Sequence, residues 1–106
     1  METKALLSDL NVSYGLDLQE APTMDALEAM LAERVNAMIN RDFSALVQLL
    51  YRIDINESRL RVLLQENQGS DAARLIARMI LERQWQKILT RREYSRRDMP
   101  GEEERW

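Results

Sequence analysis

Few side chains in this chain of 106 residues could do chemistry, because it contains no histidine and no cysteine. The usual general base, the thiolate nucleophiles and the common zinc ligands are therefore absent, which leaves carboxylates, lysine, tyrosine and serine. Pairs such as Asp54 with Arg52, or Tyr51 with Glu57, are close in sequence and are explained more simply as caps and surface pairs. We therefore predict that the protein is not an enzyme and has no catalytic, cofactor-binding or metal-binding residues.

One short polar stretch could hold a cation. Asp54, Asn56 and Glu57 place three oxygen-bearing side chains within four residues. A calcium loop alternates oxygen ligands over about a dozen residues around a central glycine, and no such pattern follows here. Asp54 and Glu57 instead have the spacing of a capping box, with Asp54 as the N-cap and Glu57 at the third helical position. This interpretation predicts a helix start and not a metal site.

Basic residues are concentrated near the C-terminus, where they could bind nucleic acid. Residues 70–98 carry eight basic and four acidic side chains, whereas residues 1–40 carry two basic and seven acidic ones. A nucleic-acid surface would use the cations on phosphates and Trp85 or Tyr94 to stack on a base. The candidate contacts are Arg83, Lys87, Arg91, Arg92, Arg96 and Arg97.

Three observations favour a self-paired basic face over a nucleic-acid surface. The net charge is −3 and the sequence pI is about 5.0, opposite to the usual character of a nucleic-acid binder. Cations are favoured at a helix C-terminus, and Glu93 with Arg97 forms a favourable i, i+4 pair. The acidic N-terminal region also offers the basic helix a partner, within the chain or in a second subunit. Nucleic-acid binding is therefore kept only as the alternative function.

The composition predicts an all-α fold, since only three glycines and two prolines occur among abundant helix formers. We expect one domain over residues 1–106, built as a small bundle of about four main helices. An extended or partly helical arm over residues 1–21 precedes a helical core over residues 22–97, and a frayed acidic tail over residues 98–106 follows. The four predicted helices cover approximately residues 24–39, 43–52, 55–67 and 70–97.

The second predicted helix carries the apolar stripe around which we expect the chain to pack. Asp42 is its predicted N-cap. The stripe has the i, i+3, i+4, i+7 spacing of one helix face. Tyr51 lies at the edge of this stripe, so we expect its ring in the core and its hydroxyl in water. The residues of the stripe are Phe43, Leu46, Val47 and Leu50.

The neighbouring elements are predicted from their caps and their apolar faces. Pro22 and Thr23 suit a helix start, and Gly69 suits the position after a helix end. In the arm, apolar residues alternate at period two from Val12 to Leu18, which favours an extended segment laid over apolar surface, with strand exchange between subunits as the alternative. The predicted buried faces are Met24, Leu27, Leu31, Val35 and Met38 in the first helix and Leu60, Leu63 and Leu64 in the third.

The last helix changes its apolar side halfway along, so a straight helix needs two packing partners. Its first face consists of Ala72, Leu75, Ile76, Met79 and Ile80, and its second consists of Leu81, Trp85, Ile88 and Leu89. Either the N-terminal arm covers the second face, or two copies of the chain pack there around Trp85. The function we predict is that of an interaction protein acting as a homodimer through the second face, with the partner otherwise unknown.

Two segments resemble a known group of sequences. The run Leu49 to Asp54 (LLYRID), and Glu82 to Ile88 (ERQWQKI) with Arg91, are similar to short bacterial proteins without assigned function. The resemblance implies a small all-helical bacterial domain and no activity, cofactor or binding residue.

No apolar run approaches the roughly 18 residues of a membrane span, and the N-terminus lacks a basic start and an apolar block. We therefore expect a cytoplasmic protein that does not contact a membrane.

Overall fold

Five α-helices make up the part of the chain that the computed structural model describes, residues 1–67 and 71–97, and no strand occurs there. The predicted all-α fold is confirmed. The predicted glycine cap at Gly69 and the predicted frayed tail lie outside the described residues. The helices are α1 Thr3–Tyr14, α2 Met24–Arg41, α3 Phe43–Ile53, α4 Glu57–Glu66 and α5 Ala72–Arg97.

The core lies between α2 and α5, which make the most extensive helix pair among the described elements. On α2, Leu27, Leu31 and Val35 have no exposed surface, while Met24 and Met38 are half-buried beside them, as the apolar periodicity predicted. On α5 the buried residues include three of the five predicted for its first face. Ala72 is exposed and Leu75 is half-buried, whereas Ile76, Met79 and Ile80 are buried.

Two helix starts carry the caps that the sequence predicted, and the start of α5 carries a further one. The Thr23 hydroxyl accepts a hydrogen bond from the Ala26 amide at 3.1 Å, and the Asp42 carboxylate accepts one from the Ala45 amide at 3.1 Å. Asp71 accepts from the first turn of α5 in the same way. These side chains satisfy amide groups that have no partner within their own helix.

The start of α4 differs from the predicted capping box. Its N-cap is Asn56, whose side-chain oxygen accepts from the Arg59 amide at 2.9 Å. Asp54 is instead the C-cap of α3, in the left-handed conformation with φ of 69°. Asp and Asn tolerate this conformation better than most residues, so Asp54 can end one helix two residues before Asn56 begins the next. The prediction that Asp54 caps α4 is therefore wrong.

The N-terminal arm is partly helical, as predicted, but Val12 to Tyr14 belong to α1 and not to an extended stretch. Leu16 and Leu18, which follow the helix, are buried at the predicted period of two. Helix α1 continues to Tyr14, and Gly15 ends it in the left-handed region with φ of 63°. The Asn11 side chain then accepts from the Leu18 amide at 2.7 Å and donates to the Leu18 carbonyl at 3.0 Å. A helix satisfies its backbone groups internally, whereas a lone strand in this chain would have no partner.

The buried side of α3 is not the predicted stripe. Leu46, Leu49 and Ile53 face the core, whereas Phe43 is 61% exposed and Tyr51 is 85% exposed. Val47 is half-exposed and Leu50 is half-buried, so only one member of the stripe, Leu46, is fully in the core. The prediction that the Tyr51 ring lies in the core is also wrong, because Tyr51 is on the exposed side of α3. Apolar residues surround most of α3, and its contacts with α2 and α5 select which of them are buried.

Candidate interaction surfaces

The second face of α5 is covered by α1 of the same chain. Leu81 and Ile88 are buried in the core that they share with Leu6 and Leu10 of α1. Trp85 is half-buried, and the Arg92 guanidinium lies 5.4 Å from the centre of its ring, while Leu89 is 46% exposed. Of the two coverings that the sequence left open, the structure therefore has the N-terminal segment, and only Leu89 of these four residues is exposed.

A buried polar group fastens α1 to α5. Gln84 is 2% exposed; its side-chain oxygen accepts from the Tyr14 hydroxyl at 3.0 Å, and its amide group donates to Asp9. Asp9 also accepts from Arg91 at 2.8 Å. A buried amide without partners would cost free energy, so these hydrogen bonds fix the position of α1 along α5. No local sequence pattern predicts this network, because its hydrogen bonds join residues that are 70 or more positions apart.

Most basic side chains of α5 are paired with carboxylates of this chain. Arg74 and Arg78 both donate to Glu28 of α2, at 2.6 and 3.1 Å. Burial raises the pKa of Glu28, but the hydrogen bonds and charges of the two arginines outweigh it, so this pKa is below its ordinary value. The other pairs are Arg83 with Asp54 at 3.2 Å, Arg91 with Asp9 at 2.8 Å and Arg92 with Glu2 at 2.8 Å.

The six cations that were predicted to contact nucleic acid differ in their partners within the chain. Three of them, Arg83, Arg91 and Arg92, are neutralised by carboxylates from other elements. Lys87 contacts the Tyr14 hydroxyl and a backbone carbonyl. Arg96 and Arg97 belong to the last turn of α5, and their side chains lie outside the described part. The acidic N-terminal region is therefore a partner of the basic helix within the chain.

An apolar groove lies between α3 and α4, on the side of α3 that faces away from the core. It has a volume of about 420 Å³. Phe43, Val47 and Tyr51 of α3 are half-exposed or more along it. No residue of α4, all of which is described, is fully buried, so the predicted buried side of α4 is only half-buried. The remaining apolar lining consists of Leu50, Ile55, Leu60 and Leu64, and we call this surface the α3–α4 groove.

Charges of both signs stand at the rim of the α3–α4 groove. Glu57 and Arg61 lie one turn apart on α4 and form an ion pair of 2.7 Å. Both side chains are more than two-thirds exposed, so the pair contributes little to the stability of the monomer. The groove as a whole presents aromatic and aliphatic side chains to solvent with a charged edge, which is the composition of many protein interfaces.

No protein-family model matches this chain, and no curated protein and no solved structure matches it either. The resemblance to short bacterial proteins stays a prediction. Within residues 1–67 and 71–97, no helix has the length and apolar character needed to span a bilayer. In the same residues, no group of three or more acidic side chains is placed to hold a metal ion.

Proposed function

We propose that this protein is a non-enzymatic helical interaction protein that forms a homodimer through the α3–α4 groove. The observation that carries the proposal is the continuous exposure of Phe43, Val47 and Tyr51 along one side of α3. Exposed apolar patches of this kind on small proteins mark interaction sites. The contact differs from the one predicted from the sequence, because α1 already covers the second face of α5.

The incomplete burial of α4 favours a second copy of the chain as the partner that fills the α3–α4 groove. Helix α4 has ten residues, none fully buried, and an isolated helix of that length is marginal in water. If two copies pack groove to groove, the half-buried Leu60 and Leu64 of each copy gain a second apolar neighbour. Homodimers with two-fold symmetry are the commonest assemblies, and they use the same patch on both subunits.

The charges at the rim suit such a symmetric contact. In an antiparallel arrangement of two α4 helices, residues near the two-fold axis meet their counterparts in reverse order. Glu57 of one copy then comes close to the arginine at position 61 of the other, and the same pairing repeats on the opposite side. A surface that carries both signs one turn apart is therefore complementary to itself.

The size of the groove is also adequate for a dimer. A tyrosine or phenylalanine offers about 200 Å² when fully covered, so the exposed fractions of Tyr51 and Phe43 together provide roughly 300 Å². The aliphatic lining adds further apolar surface, since Val47 is 50% exposed and the other aliphatic residues are only partly covered. A standard interface buries about 800 Å² per partner, of which about 57% is apolar, or roughly 450 Å². The two aromatic rings alone therefore supply about two-thirds of this apolar area.

The test is the solution mass of two matched valine variants. Val47→Asp places a charge in the groove, and Val12→Asp places the same charge on α1, where Val12 is 82% exposed. In light scattering behind a sizing column, the unmodified protein and Val12→Asp should have twice the chain mass of 12.5 kDa. Val47→Asp should have the mass of one chain, with unchanged helical circular dichroism. A monomeric unmodified protein, or a Val47→Asp dimer, would contradict the proposal.

Nucleic-acid binding is not proposed as the function. The pairing of Arg83, Arg91 and Arg92 with carboxylates removes half of the predicted contact set from availability, and the net charge of the chain is negative. For the cellular setting we propose the bacterial cytoplasm, as the sequence features and the resemblance led us to expect.

A further inference from the structure

Two cations beside Tyr14 differ from the arginines of α5 in their partners. Across the described ranges, Arg52 and Lys87 contact no carboxylate, whereas each of the arginines on α5 from position 74 to 92 is paired with one. The Arg52 guanidinium lies 5.2 Å from the centre of the Tyr14 ring, and the Lys87 ammonium lies 6.0 Å from it. Two like charges are thus held at one aromatic ring without a counterion.

Backbone carbonyls and a fixed hydroxyl hold these cations in place. Arg52 Nη2 donates to the carbonyl of Ser13 at 2.8 Å, and Lys87 Nζ lies 3.5 Å from the carbonyl of Arg52. Lys87 also donates to the Tyr14 hydroxyl at 3.3 Å, and that hydroxyl donates in turn to the buried Gln84. Both Lys87 contacts are long, and an ammonium group has three donors, so the lysine retains capacity for a stronger acceptor.

A cavity of about 460 Å³ opens at this place. One wall is formed by Arg83, Lys87 and Arg91, which lie at i, i+4 and i+8 on α5, and Ser13 and Thr90 also line it. The two outer arginines have carboxylate partners, so they add donors without adding net charge. The surplus charge near the cavity is therefore that of the lysine and of Arg52, two positive charges.

We propose that this cavity binds a phosphate group in its doubly charged form. A phosphate monoester or free phosphate carries about two negative charges near neutral pH and offers three or more acceptor oxygens. That charge matches the two uncompensated cations, and the oxygens match the donors of Lys87, Ser13 and Thr90. The site is distinct from the α3–α4 groove and does not depend on dimer formation.

The two lysines of the chain provide a matched test. Lys87→Gln removes the central charge of the cavity, and Lys4→Gln makes the same chemical change at an exposed position on α1. Inorganic phosphate is titrated at low ionic strength into ¹⁵N-labelled protein, and the amide shifts are followed. The shifts should concentrate at Tyr14, Lys87 and Thr90, and Lys87→Gln should weaken binding roughly tenfold. Lys4→Gln should leave the affinity within about twofold.

A second variant and a second ligand complete the experiment. Arg52→Gln should also weaken binding severalfold, and it keeps the test decisive if Lys87→Gln does not fold. Adenosine 5′-monophosphate is titrated in parallel. If it binds more tightly than inorganic phosphate and this binding is lost in Lys87→Gln, the cavity takes the phosphate of a larger molecule. If the two ligands bind with equal affinity, the cavity takes the free anion. No shifts with either ligand, or equal losses in Lys87→Gln and Lys4→Gln, would overturn the proposal.

Discussion

The docking of α1 on α5 makes a quantitative prediction for Leu10. This residue has no exposed surface, whereas Val12 on the same helix is 82% exposed. Leu10→Ala removes three carbon atoms from the core, worth about 2.4 kcal/mol at 0.8 kcal/mol per methylene, and the cavity left behind adds to this cost. We expect the free energy of unfolding to fall by about 3 kcal/mol, within the range of about 2–5 kcal/mol for such changes.

The assay is urea unfolding followed by tryptophan fluorescence and circular dichroism. Trp106→Phe in all proteins leaves Trp85, which lies on the face that α1 covers, as the single fluorescent tryptophan. Val12→Ala is the control, and it should change the free energy of unfolding by no more than about 0.5 kcal/mol. If Leu10→Ala were no more destabilising than Val12→Ala, α1 would not be docked on α5, and the covered second face would be refuted.

Three further changes test the charges and the caps. The pKa of Glu28 is below its ordinary value of 4.5, so its stabilising effect is present above that pH and is lost as the pH falls through the lowered value. Glu28→Gln should cost about 1–2 kcal/mol at neutral pH. Its urea midpoint should approach that of the unmodified protein in acid, and a gap that persists there would contradict the ion pair. Asp42→Ala should cost about 1 kcal/mol in thermal unfolding through the lost cap. Asn56→Ala should speed hydrogen exchange at the Arg59 amide, and unchanged exchange would exclude the cap at Asn56.

The sequence was informative where periodicity and caps agreed. On α2, Thr23 marks the start, and one apolar stripe centred on Leu31 leaves a single choice for the buried side. Helix α5 was predicted over its full length, because no glycine or proline interrupts it. In these helices local propensity and core packing select the same structure, which makes a prediction from sequence reliable.

Prediction failed on α3 because this helix has more apolar residues than the core can cover. Phe43 with Val47, and Leu49 with Ile53, each have helical spacing, so two different sides of α3 fit an apolar face. Which side is buried depends on where α2 and α5 lie, and that information is not local. The exposed Phe43, Val47 and Tyr51 are the residues of the proposed contact, so the candidate site was missed for the same reason.

The covering of the second α5 face could be stated only as an alternative. Leu81, Trp85, Ile88 and Leu89 form an apolar side, but the pattern is the same whether α1 or a second copy covers it. The interactions that decide between them join Gln84 to Asp9 and Tyr14, over separations that no local pattern reports. The charge asymmetry was more informative than the apolar pattern about what lies against α5, since it indicated an acidic N-terminal partner for the basic helix.

The central claim is that the α3–α4 groove contacts a second copy of the chain. The most direct measurement is an isotope-filtered nuclear Overhauser experiment on a mixture of labelled and unlabelled protein, which detects contacts between subunits alone. We predict intermolecular contacts from the Tyr51 and Phe43 rings to the methyl groups of Leu60 and Leu64. Intermolecular contacts confined to Leu89 and its neighbours on α5, or none in concentrated protein, would contradict the account.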